Sequence, residues 1–249
     1  MNEGTRKRLC KAIDEGHLPA FAKNHALSID HFLLQQWNDR TTPLHKLAFA
    51  GQMDQLAAVL KEAKEPLLIG HVLAKSIMDM TPLHSAAWTG HLDQMASVLK
   101  EFGQQLTLAN LLTPDKGGST PLHEAVSRGH IGQAFSILQK TGETLSADHL
   151  LLEEEHGDTP LSLAASAGHL ATVFQPSLWV GRPQEMSRLW SHVPLPKQGQ
   201  APFEQLLHET LLLSRRPIAL LAPEAFRTAR RTELEPPEQK TPPAQGRTP

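Results

Sequence analysis

Apolar side chains recur along this chain at helical spacing. In Leu92-Asp93-Gln94-Met95-Ala96-Ser97-Val98-Leu99 they fall three and four residues apart, which lines one face of an α-helix. A shorter apolar group precedes this stretch, with Leu83, then the small pair Ala86-Ala87, then Gly90. Small side chains let neighbouring helices approach closely, and glycine adopts the left-handed conformation that ends a helix. The pattern predicts a helix, a tight turn and an antiparallel helix. It recurs at Leu44, Leu47-Ala48 and Gly51, at Leu122, Ala125-Val126 and Gly129, and at Leu161, Ala164-Ala165 and Gly168.

Each first helix opens on the same signal. Thr-Pro-Leu-His starts at Thr42, Thr81 and Thr120, and Thr-Pro-Leu-Ser starts at Thr159, a constant step of 39 residues. Threonine suits the N-cap because its hydroxyl accepts from a free N–H of the first turn. Proline suits the first helical position, where its missing N–H costs nothing. Leucine points to the core, and the histidine ring can reach the neighbouring repeat's loop. A fixed period of this size marks stacked repeats, in which each unit packs on its neighbours and the surface carries the function.

A third apolar group separates the second helix from the next tetrapeptide. It runs from Ser28 to Leu34, Pro66 to Leu73, Thr107 to Leu112 and Ser146 to Leu152. These segments are leucine-rich, lack the alternation of a strand, and in three cases begin with an N-capping Ser or Thr. They predict a short third helix per repeat, before a loop such as Pro114-Asp115-Lys116-Gly117-Gly118.

The stretches Thr81–Leu92 and Gly118–Ala125 resemble ankyrin repeats, and the resemblance covers roughly residues 42–175. The period departs from the family's usual value of about 33. The surplus falls where the family has a β-hairpin finger, which implies a finger shortened or replaced by the third helix. Long periods of this kind resemble those of bacterial ankyrin proteins, host-directed effectors among them. The expected fold is all-α, an ankyrin-repeat solenoid of two antiparallel helices plus a short third helix per repeat, with little or no β.

The expected organisation is an N-terminal capping repeat over 1–41, repeats over 42–80, 81–119 and 120–158, and an irregular repeat over 159–200. A degenerate C-terminal cap with a basic end (Arg215, Arg216, Arg227, Arg230 and Arg231) follows over 201–231, and a proline-rich tail expected to be disordered over 232–249. In the N-terminal cap, Leu9, Ala12 and Ile13 face the core, while Arg6, Lys7, Arg8 and Lys11 are expected to face solvent.

Net charge is −2, which supplies no field for nucleic acid or an anionic membrane. Cys10 is the single cysteine, so no internal disulfide forms, as suits a reducing compartment. Met1 to Leu9 is polar and basic without an apolar h-region, which argues against a conventional signal peptide, and no apolar run is long enough to span a membrane. The expectation is a cytoplasmic protein, or one delivered into a host cell if its source is bacterial.

The periodic histidines His45, His84 and His123 do not predict a metal ladder. Repeats stacked about 8–10 Å apart keep equivalent rings too far apart to share one ion. His17, His91, His130 and His169, each after a turn glycine, are expected to bond to nearby backbone. No Cys pair, His-Glu-x-x-His motif or phosphate loop occurs. The expectation is no catalytic site, no cofactor and no metal.

The resemblance implies a binding face on the first helices and the loops before them. The helix positions are Lys46, Phe49 and Ala50; Ser85, Trp88 and Thr89; Glu124, Ser127 and Arg128; and Leu163, Ser166 and Ala167. The loop positions are Arg40, Thr41, Asp79, Met80, Gly118, Ser119, Gly157 and Asp158. Phe49 and Trp88 are equivalent, and with Met80 they predict an apolar hot spot, or else residues packed on a neighbouring helix. The expected function is a monomeric, non-catalytic scaffold that binds a protein on this face, and neither nucleic acid nor membrane. The alternative is an adaptor that recruits a partner to a complex such as a ubiquitin ligase through Phe203–Ala222. That segment lacks the cysteine expected of an elongin-binding box.

Overall fold

The computed structural model describes residues 3–34 and 41–193. All regular structure among them is helical, with no strand, and no helix is long and apolar enough to cross a membrane. The first unit holds α1 (Glu3–Asp14), α2 (Leu18–Ala22) and α3 (Ile29–Leu33). It recurs as α4 (Pro43–Phe49), α5 (Met53–Ala63) and α6 (Ile69–Val72), then as α7 (Pro82–Thr89), α8 (Leu92–Glu101) and α9 (Leu108–Leu111). The next copy is α10 (Pro121–Ser127), α11 (Ile131–Thr141) and α12 (Ala147–Leu150). The described chain closes with α13 (Pro160–Ala167), α14 (Leu170–Val173), a 3₁₀ turn (Pro176–Trp179) and α15 (Pro183–Ser191). The short third helix thus exists in each of the first four units. The expected cap at 201–231, its basic face and the tail lie outside the described residues.

First helices pack on first helices, α1 on α4, α7, α10 and α13 in turn, and second helices do the same from α2 to α14. One apolar core runs continuously from Leu9 to Leu189. Ala48, Ala86, Ala87, Ala125 and Ala164 are fully buried where the first helices meet, and a bulkier side chain there would hold the helices apart. The end units are shorter. α2 has five residues and α14 four, against 11, 10 and 11 in α5, α8 and α11. Pro176 stops α14 early by forcing Gln175 into extended backbone (φ −60°, ψ 123°). Trp179 fills the space left, with its Nε1–H donating to Val173 O at 2.7 Å and its ring edge-on to Phe135.

At the N-terminal end Lys7, Arg8 and Lys11 are exposed, but Arg6 is half-buried, which corrects the expectation that all four face solvent. The physical reason is helical geometry: Arg6 lies three residues before the fully buried Leu9, on the same side of α1.

The connection before Thr81, Thr120 and Thr159 is a five-residue turn. Ser76 N–H donates to Met80 O, Asp115 N–H to Ser119 O, and Glu154 N–H to Asp158 O, at 2.8–2.9 Å. Neighbouring turns are joined by Lys116 N–H to Met78 O at 3.0 Å and Glu155 N–H to Gly117 O at 2.7 Å. The fourth position of the turn is left-handed, with φ +58° at Asp79 and +81° at Gly118 and Gly157.

A ladder of side-chain caps holds the third helices. The first free N–H of each donates to an acid or amide of the next unit, Ile29 to Glu65 (2.6 Å), Ile69 to Gln104 (3.2 Å), Leu108 to Glu143 (2.7 Å) and Ala147 to Glu185 (2.6 Å). Each bond satisfies a helix-end donor that has no partner within its own helix. Glu143→Ala is expected to lower stability by about 1 kcal/mol, whereas Glu143→Gln, which copies Gln104, retains most of it. Urea unfolding checks this, and equal losses for the two variants would remove the capping role.

Candidate functional site

The tetrapeptide histidines are structural and cross-linking. Thr81 N–H donates to His84 Nδ1 at 3.1 Å, so Nδ1 is the bare nitrogen and Nε2 carries the hydrogen. Nε2–H then donates to Ser119 O in the turn that leads into the next unit, at 3.2 Å. His45 repeats this with Thr42 N–H and Met80 O; His123 accepts from Thr120 N–H but donates to Leu152 O, just after α12 and ahead of the turn at 154–158. All three rings are buried. The position in the fourth copy is Ser162, whose hydroxyl accepts from Thr159 N–H at 2.9 Å. It closes its own helix, and its Oγ donates only within its unit, to Thr159 O and Asp158 Oδ1.

The rings of the histidines after the turn glycines have a role beyond the expected backbone hydrogen bonds. His91, His130 and His169 lie against the turn glycines of the preceding unit. A Cβ on Gly51 (φ +66°) would sit 2.6 Å from the His91 ring, and one on Gly90 2.7 Å from that of His130. Glycine leaves the gap the ring fills, while the main-chain N–H of each histidine donates to a carbonyl of the helix before it, His91 to Ala86, His130 to Ala125 and His169 to Ala164. His91 also bonds through Nδ1 to Thr89 Oγ1 at 2.8 Å. Burial, then the neighbouring His169 and His91, hold His130 below the usual range.

A further histidine series escaped the sequence reading. Ser28, Leu68 and Ser146 N–H donate to Nδ1 of His31, His71 and His149, and Thr107 N–H to Asn110 Oδ1, at 2.8–3.1 Å. The signal was a near-constant spacing, which the change to Asn110 obscured. Among the described residues no group of three or more His, Cys, Asp or Glu side chains is placed to hold a metal ion.

On the first helices Phe49 is 54% exposed and Trp88 40% exposed. The Arg128 guanidinium lies over the Trp88 ring, 3.4 Å from its centroid. Lys46 is tied to Asp14 of α1 at 3.1 Å through both carboxylate oxygens. Glu124 is half-buried and accepts from Ser119 Oγ at 3.4 Å, and burial raises its carboxyl above the usual range. Ser127 Oγ donates to Glu124 O, and Thr89 Oγ1 donates to the carbonyl of Ser85, itself half-buried. Met80 is half-buried, and its carbonyl holds His45. Ile77 and Met78 at the turn tip are more exposed, Met78 at 56%. The sequence signal for them was apolar residues where later copies carry Lys116-Gly117 and Glu155-His156. Arg40 lies outside the described residues.

No protein-family model and no curated protein matches the chain.

Burial pushes His84 down from 6.5 to about 4, and lowers His123 likewise. The unfolded chain takes up a proton near 6.5 that folded His84 refuses until about 4. Stability is therefore full above about 6.5 and is lost as pH falls toward 4, by on the order of 3 kcal/mol for His84. Urea midpoints should fall steadily across that window. His84→Gln should be less stable at pH 7 and show a flatter dependence; an unchanged slope would show that His84 is not the titrating group.

Proposed function

We propose that the chain is a non-catalytic protein-interaction scaffold of the ankyrin-repeat type. Its binding face comprises the first helices and the turns before them. The reading rests on one observation: Phe49 and Trp88, at equivalent places in adjacent units, stay exposed while their helical neighbours Leu47, Ala48, Ala86 and Ala87 are fully buried. Aromatic side chains left at the surface cost hydration free energy and are characteristic of binding hot spots. Exposed Ile77 and Met78 extend the apolar character to the turn before α7.

The ankyrin-type assignment draws support from helix–turn–helix units stacked in sequence order, from the cap–Pro–Leu–His helix start, and from hydrogen bonds joining successive turns. The repeat differs from the ordinary ankyrin unit by its third helix. Catalysis has no support in the buried histidines, since each spends both ring nitrogens on hydrogen bonds that close a helix start or join two units. The ligand is a protein, and the scaffold works as a monomer in a reducing compartment such as the cytoplasm. The ligase-adaptor alternative depends on 203–222, outside the described residues, and nothing described favours it.

Affinity purification followed by mass spectrometry, comparing wild type with Phe49→Ala/Trp88→Ala, tests the reading. Proteins retained by the wild type should be lost from the variant. Its melting temperature should shift by no more than a few degrees, since exposed substitutions cost little. An unchanged set of captured proteins, or a variant that no longer folds cooperatively, would overturn the surface role of this pair.

A further inference from the structure

The Arg128 side chain stands out on this face. Its guanidinium carbon sits in van der Waals contact with the Trp88 ring, at 3.4 Å from the centroid. The five N–H donors of a guanidinium lie in its plane, so stacking engages the flat face and leaves the donor edge free. Among the described residues that side chain makes no hydrogen bond and no ion pair. Glu124, one turn earlier on the same helix, accepts from Ser119 Oγ and attracts Arg128 electrostatically without forming a salt bridge to it. Asp14 is taken by Lys46. The next unit presents exposed Ser166 and Ala167 at the places of Ser127 and Arg128, and neither carries charge. Arg128 therefore carries a positive charge with no salt bridge, held flat against the exposed Trp88 ring and only partly offset by the attraction of Glu124.

We propose, resting on the reading of this face as the binding face, that it takes an acidic peptide segment. An apolar side chain of the segment packs on Phe49 and Trp88, and a carboxylate accepts two hydrogen bonds from Arg128. Trp88 contributes twice, by apolar contact and by fixing the plane of the guanidinium, so that little side-chain entropy is lost when the carboxylate docks. Bidentate carboxylate recognition needs this fork, which lysine lacks. A nucleic acid needs a run of cations along its phosphates. Here Lys46 is already paired, and the chain as a whole carries −2.

Selection of a phage-displayed random peptide library on the full-length protein tests this. Wild type should enrich peptides that pair an aromatic or aliphatic residue with Asp or Glu. A synthetic peptide from that pool should bind about tenfold or more weakly to Arg128→Gln, and weaken equally when its own acid is changed to the amide. The peptide-side change reads the same contact without touching the fold. Arg128→Lys should recover only part of the affinity. Peptides that need Phe49 and Trp88 but carry no acidic bias, or that ignore Arg128→Gln and the amide change, would overturn the acidic partner and leave the face standing. Enrichment indifferent to Phe49→Ser/Trp88→Ser would remove the face itself. Arg128-dependent binding of labelled poly(U) RNA, tighter than that of any selected peptide, would assign the guanidinium to phosphate and also overturn the proposal.

Discussion

The bond on which the architecture depends is the one from a buried imidazole Nε2–H to a carbonyl of the connection that leads to the next unit. At His45, His84 and His123 the same ring accepts a backbone N–H from its own helix start and donates to the connection that leads to the next unit, to Met80 O, Ser119 O and Leu152 O. A neutral imidazole is the side chain that can accept through one nitrogen and donate through the other at once. Secondary structure within a unit and stacking between units are therefore fixed by one group. Where serine replaces it at position 162, the helix start is still closed, and the hydroxyl donates only within its own unit.

This bond requires the ring to be neutral and dry. Burial supplies both conditions, and it makes the stack depend on the histidines staying unprotonated. The other inter-unit contacts follow the same economy. An acid or amide beyond each second helix caps the third helix of the unit before it, and a histidine ring fills the gap above Gly51, Gly90 and Gly129. Every such contact joins neighbours alone, so the array can tolerate irregular ends. α2 and α14 are short, and among the described residues Trp179, Phe174 and Trp190 follow the last regular unit with ring packing instead of periodic bonds.

The surface follows from what the stack leaves unused. The side chains at positions 49, 88 and 128 take no part in helix starts, caps or turns, so these positions are free to carry Phe, Trp and Arg. Arg128 and Trp88 were legible as two residues of a candidate face, yet their stack was not, because they come from successive units and lie 40 positions apart in sequence. Lys46 was legible as a charge, and its pairing with Asp14 was not, for the same reason.

The sequence by itself determined the helical period, the 39-residue step, the capped helix starts, the turn glycines and the third helix. All of these are local signals read within about a dozen residues, where spacing and backbone preference decide the outcome. Only the tertiary structure decided which partner each side chain finds. Glu65, Gln104 and Glu143 look like ordinary surface residues until stacking brings them to a helix end. His91 and His130 look like helix starters until the turn glycine of the preceding unit proves to be their seat. Those choices rest on contacts between residues some 35 to 40 positions apart, and composition along the chain does not encode which atoms will meet when one unit is laid on the next.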